Sequence, residues 1–158
     1  MLSSVIRFAR LAYVFLAISA LGRFVIAFSV PFESSPRPNA IFSVVVLTGI
    51  MSLCFGAMSK SVGGFDWKGT ALTGASIGVD SQLLIFFFTV VSMAAGHHST
   101  SYYLIPHAAG VDPNTPLTWG TIFGGRVVGL VVNTIIATVE ACLGRLLFAH
   151  FAPTGAKG

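Results

Sequence analysis

From Gly69 to Gly96 the chain carries one charged side chain, Asp80, within a run that includes LLIFFFTVV. A bilayer core is crossed by about 20 apolar residues in a helix, and this run is longer than that. In hydrocarbon every backbone N–H and C=O must be satisfied inside the segment itself, so the stretch has to be helical. It also poses a question, because a carboxylate at that depth costs about 2.5 to 3.5 kcal/mol on insertion scales unless a partner or a wet cavity receives it.

The rest of the chain repeats the pattern. Apolar runs cover about 8–30, 40–59, 70–95 and 118–150, separated by PFESSPRPN, KSVGGFDWKG and HHSTSYYLIPHAAGVDPNTP. Only 9% of the residues are charged, against about 25% in a typical soluble domain. The expectation is an all-α integral membrane four-helix bundle forming a single domain over 1–158. The fourth run exceeds what a bilayer needs, so it tilts or extends past the surface. A cleaved signal peptide competes at the amino end, where Arg7 and Arg10 precede a short apolar stretch ending in AISALG. Since the chain includes Met1, that run is read as a retained span.

Charge sets the expected orientation. If both termini share one side, that side holds Arg7, Arg10, Lys60, Lys68, Arg145 and Lys157, and the other loops hold Arg37. The excess of Lys and Arg on cytoplasmic loops then places both termini and the middle loop in the cytoplasm.

Several function classes are set aside. The basic residues form no cluster and the aromatic ones lie in apolar runs, so no nucleic-acid partner is expected. Cys54 and Cys142 both fall inside apolar runs, which argues against a disulfide-stapled ectodomain. His97, His98 and His107 share one loop with Asp112, but adjacent histidines point apart and no metal-ligand spacing is met; an interfacial loop with aromatic anchors is the preferred reading. No nucleophile elbow, phosphate loop or HExxH pattern occurs, so no enzyme activity, metal or cofactor is expected.

Function is sought instead among the polar residues inside the spans. Arg126, Asn133 and Glu140 recur every seven residues, nearly two helical turns, and therefore project from one face of the fourth span, with Gly129 and Gly144 close to the same stripe. A packing seam is preferred over a hydrophilic path for an ion or headgroup. Gly49, Ser52, Gly56 and Ser59 form a small-residue ridge on the second span, and Gly74 with Gly78 gives the small-xxx-small pattern on the third. For Asp80 the depth along the spans nominates Arg10 as the counter-charge, in a buried structural pair. Glu140 lies nearer the cytoplasmic surface, within reach of Arg10, Lys60 or Lys68. Arg23 and Arg126 are read as anchors that snorkel to the outer headgroups.

A basic residue on the first span and an acid on the third resemble the layout of the MARVEL superfamily and its Casparian-strip-like relatives. VDSQLLIFFFTVVSMAAG at 79–96 looks like the third span of fungal MARVEL-type proteins, and RFARLAYVFLAISALG at 7–22 is similar to their first. The residues carried over are Arg10, with Arg23 as the alternative, and Asp80. The chain departs from the pattern in lacking paired cysteines in its external loops and in carrying the stripe on span four. The resemblance implies a non-enzymatic protein that organises membrane microdomains or vesicles by lateral association, and the plasma membrane is the favoured location.

The expected partners are the lipid bilayer and either further copies of the chain or other membrane protein subunits. Lateral assembly leads. An accessory subunit of a larger membrane complex and a small channel or transporter subunit, with the span-four stripe lining a pore, are the alternatives.

Overall fold

The computed structural model describes residues 1–29, 43–95 and 118–151, and these are helical with no strand among them. The helices are α1 (Leu2–Phe8), α2 (Arg10–Ser29), α3 (Val44–Met58), α4 (Trp67–Ala94) and α5 (Trp119–Phe151). Two of them, α4 and α5, are long and apolar enough to cross a membrane, and α1 with α2 passes the same test only as a pair bent by 58°. The first run is therefore not one straight helix beginning near Phe8. It starts at Leu2 and breaks at Ala9. The second run is described only from Ser43, and α3 has 15 residues, about 22 Å at 1.5 Å per residue. The loop at 97–116, with its three histidines, and the PFESSPRPN connection lie outside the described residues.

Local chemistry fixes the start of both central helices. Ser43 accepts a hydrogen bond from the Val46 N–H at the amino end of α3. Asp66 accepts one from the Gly69 N–H at 2.8 Å, capping α4. Between the two helices the chain turns through Gly64, whose φ of 64° lies in the left-handed region that glycine adopts without a Cβ clash.

Helix α4 is central and touches the other four. Pairs such as Tyr13 with Ser76 and Phe24 with Phe88 make α2 parallel to α4. Phe123 against Phe86, and Thr134 and Ala137 against Gly78, make α5 antiparallel to it. The start of α2, the α3–α4 turn and the end of α5 thus lie at one end of the bundle, where Phe8 meets both Phe55 and Phe65 edge-on at 5.3 Å.

The bundle is closed by two different seams. On one side Ala9 at the bend and Ala12, Leu16 and Ala20 of α2, all fully buried, pack with Val44, Phe55, Ile77 and Ile85. On the other, α5 meets α3 and α4 through glycine. A Cβ on Gly56 would fall on the backbone of Ala141, one on Gly144 on the carbonyl of Leu53, and one on Gly74 on the carbonyl of Ala137. Close backbone contact of this kind supplies van der Waals energy, the term that holds helices together wherever water exclusion does not.

Polar side chains inside the bundle bond mainly to their own helices. Thr48, Thr73, Thr89 and Thr138 each donate to the carbonyl four residues earlier, and Ser81 to the carbonyl of Gly78. That pattern lets hydroxyls sit in an apolar surround. Outward, large apolar side chains are exposed on α2 (Leu11, Val14, Ile18), α3 (Val45, Val46, Ile50) and α5 (Val127, Val131, Ile135, Leu146). A surface of that composition is suited to lipid or to further helices.

Candidate functional site

Asp80 lines a groove of ≈ 510 Å³ between α1, α2 and α4, together with Leu2, Ile6, Tyr13, Ser76 and Leu83. Its Oδ2 is buried and accepts no hydrogen bond among the described residues. The neighbouring polar groups are already engaged with each other: the Tyr13 hydroxyl donates to Ser76 Oγ at 2.9 Å, and Ser76 in turn donates to the Thr73 carbonyl.

Arg10 is not in this groove. It is exposed and lines a separate cavity of ≈ 560 Å³ with Ser4, Arg7, Phe55, Met58 and Phe65. The physical reason is register. Tyr13, one turn beyond Arg10, is level with Ser76, one turn before Asp80, which leaves the two charges about 10 Å apart along the bundle axis. Because α2 begins at Arg10, its side chain also leans back toward the amino end. The bend at Ala9 also separates α1 from α2, so depth counted along one unbroken first span does not set the level of Arg10. Arg23 is half-buried on α2, two turns and more above Tyr13.

The span-four stripe is turned toward α3 and α4. Asn133 donates from Nδ2 to the Gly129 carbonyl at 2.9 Å, within its own helix. A Cβ on Gly129 would stand 3.3 Å from Gln82 Oε1 on α4, and one on Gly49 would stand 2.9 Å from Glu140 Oε1. The Glu140 carboxyl thus lies over the backbone of α3 where glycine leaves room, rather than beside Arg10, Lys60 or Lys68. Arg126 is partly buried near the other end of α5. Gly78 approaches Thr134 and Ala137, and Ser52 is fully buried on α3.

A second polar cluster closes the opposite flank. Arg145 Nη1 donates to the Phe65 carbonyl at 2.9 Å and to Thr70 Oγ1 at 2.6 Å. Its guanidinium carbon stands 4.5 Å above the Trp67 ring, a cation–π contact. Thr70 Oγ1 is 2.7 Å from Ser59 Oγ, and Ser59 also donates to the Gly56 carbonyl. One side chain from the end of α5 therefore ties together the end of α3, the turn and the first turn of α4. In the sequence Arg145 counts only toward orientation. A cation near the end of a long apolar helix reads as a headgroup anchor, and no spacing announces a partner 75 or 80 residues away.

Among the described residues no three His, Cys, Asp or Glu side chains gather as a metal site, and both cysteines are free. Compared with protein-family models, with curated proteins and with solved structures, the chain matches none of them.

Proposed function

We propose that this chain is a multi-pass membrane protein of four spans, with both termini in the cytoplasm, that acts by lateral assembly in the membrane and not by catalysis. The observation that carries the reading is the Asp80 groove. A carboxyl roughly 20 Å along α4, in an apolar recess and without a hydrogen-bond partner among the described residues, is poorly matched to bare lipid. A helix of a neighbouring chain that supplies a cation or hydrogen-bond donor would complete it. The exposed apolar face of α5 offers a second surface on which helices can pack. The MARVEL-like arrangement of a basic first span and an acidic third span points the same way.

The test is self-association in liposomes, read by stepwise photobleaching across a range of protein-to-lipid ratios. The wild-type chain is expected to form dimers or larger clusters. Asp80→Leu should weaken clustering about tenfold while leaving helix content unchanged, because it removes the one charge of the groove. A wild-type chain that stays monomeric at every ratio would sink self-assembly. If that monomer nevertheless came out of native membranes in a stable hetero-complex, the accessory-subunit reading would replace it. The pore reading requires a wet face bearing Asn133 and Glu140; against it, the Asn133 amide bonds to the Gly129 carbonyl of its own helix and the Glu140 carboxyl lies beside Gly49 of α3.

A further inference from the structure

At the end of the bundle that carries Lys60, Lys68 and Arg145, a cavity of ≈ 480 Å³ opens between the end of α3, the start of α4 and the last turns of α5. Lys60, Ser61, Trp67 and Arg145 give it one polar side, and Ala57 and Phe148 an apolar one. Its lining contains no acidic residue. The nearest carboxylate in sequence, Asp66, is committed to capping α4.

Arg145 is held in place before any ligand arrives. Nη1 is fixed by the Phe65 carbonyl and Thr70, and the plane is supported by Trp67. A guanidinium has five N–H donors, and Nε and Nη2 make no hydrogen bond among the described residues. Such a fork matches the paired oxygens of a phosphate. Lys60 is exposed on the adjacent turn and supplies a second, adjustable charge, with the Ser61 hydroxyl beside it. Arg145 is thus the built element of the site and Lys60 the exposed one.

We propose that this cavity binds an anionic glycerophospholipid. Its phosphodiester would lie between Arg145 and Lys60, and its glycerol and upper acyl chain would lie along Ala57, Phe148 and the exposed Leu147. The apolar wall decides for a lipid over a free phosphate ester, which would gain nothing from it. The volume suits a headgroup and the first part of a chain. Tryptophan and cations together are what the boundary between hydrocarbon and headgroups selects. The proposal rests on the membrane reading above but is independent of self-assembly.

The experiment uses the full chain in phosphatidylcholine nanodiscs doped with brominated phosphatidylglycerol or, in parallel, brominated phosphatidylcholine, in a Trp119→Phe background that leaves Trp67 as the one tryptophan, excited selectively at the red edge of its absorption. Quenching by the anionic lipid is expected to show an apparent affinity about fivefold or more above the zwitterionic one. Lys60→Gln, which touches none of the packing around Arg145, should bring the ratio close to one, as should Arg145→Gln. Lys68→Gln, outside the cavity, should leave it unchanged. Equal quenching by both lipids in the wild-type background would overturn the site, and so would equal loss in Lys68→Gln, which would mean general attraction to a basic rim. Displacement by soluble glycerol phosphate at millimolar concentration would reject the lipid and leave a phosphate site. Trp67 unquenched by either lipid would overturn the membrane reading as well, whereas lost lipid preference with intact clustering would overturn this proposal alone.

Discussion

The two seams of the bundle solve one packing problem in different ways. Helix α5 lies against α3 and α4 with backbone nearly touching backbone at Gly56, Gly74 and Gly144, and no side chain larger than hydrogen fits there. Helices α1 and α2 pack instead through side chains, with buried alanines and Leu16 between Phe8 on Phe55 and Phe65 below and Phe24 on Phe88 above. The glycine seam has no slack, because a backbone cannot rotate out of the way. The alanine and aromatic seam can adjust by rotamer changes. It is on the adjustable side, beside α1 and α2, that the Asp80 groove opens, and on the rigid side that Arg145 is clamped.

That contrast sets the order of expected effects in unfolding from mixed dodecyl maltoside and sodium dodecyl sulfate micelles, followed by circular dichroism. Gly144→Leu should cost the most, about 3 kcal/mol, since the new side chain meets the Leu53 carbonyl and neither helix can yield. A loss smaller than that of any α2 substitution would break the comparison. Ala12→Leu inserts similar bulk into the other seam and should cost about 1 to 2 kcal/mol, with α2 shifting outward to admit it. Thr70→Val removes the side-chain acceptor of Arg145 and the partner of Ser59, for about 1 kcal/mol. Tyr13→Phe, which deletes the hydrogen bond to Ser76, should cost about 0.6 kcal/mol, the average for hydrogen bonds between membrane helices. A much larger value for Tyr13→Phe would mean that α2 is fixed by polar bonds and not by its alanines and rings.

How far these features could be read in advance differs by residue. The periodicity of Gly74 and Gly78 marks a face, because a helix repeats its geometry every turn and small residues on it are visible as spacing. Asp80 stands out for the same elementary reason, as one charge in a long apolar run. Its relation to Arg10 was not legible. It depends on the bend at Ala9 and on the register of α2 against α4, which are set by how Ala12, Leu16 and Phe24 fit the facing ridges. Arg145 was the least legible. Its partners are a backbone carbonyl and a threonine hydroxyl, groups that carry no signal of their own in a sequence.

By itself, then, the sequence determined the helical class and the long apolar segments, two of which are helices apolar enough to cross a membrane. Long apolar runs with few charges admit little other than helices satisfied by their own hydrogen bonds, and caps such as Asp66 and turns such as Gly64 are local decisions of a few residues. Only the tertiary structure decided which polar groups meet. Between helices that share a composition, a shift of one turn costs little in hydrophobic terms and changes every partner. The close fit at Gly56, Gly74 and Gly144 selects the register of α5 and leaves Arg145 facing Trp67, while the fit of Ala12, Leu16 and Phe24 sets α2 against α4 and leaves Asp80 facing an open groove.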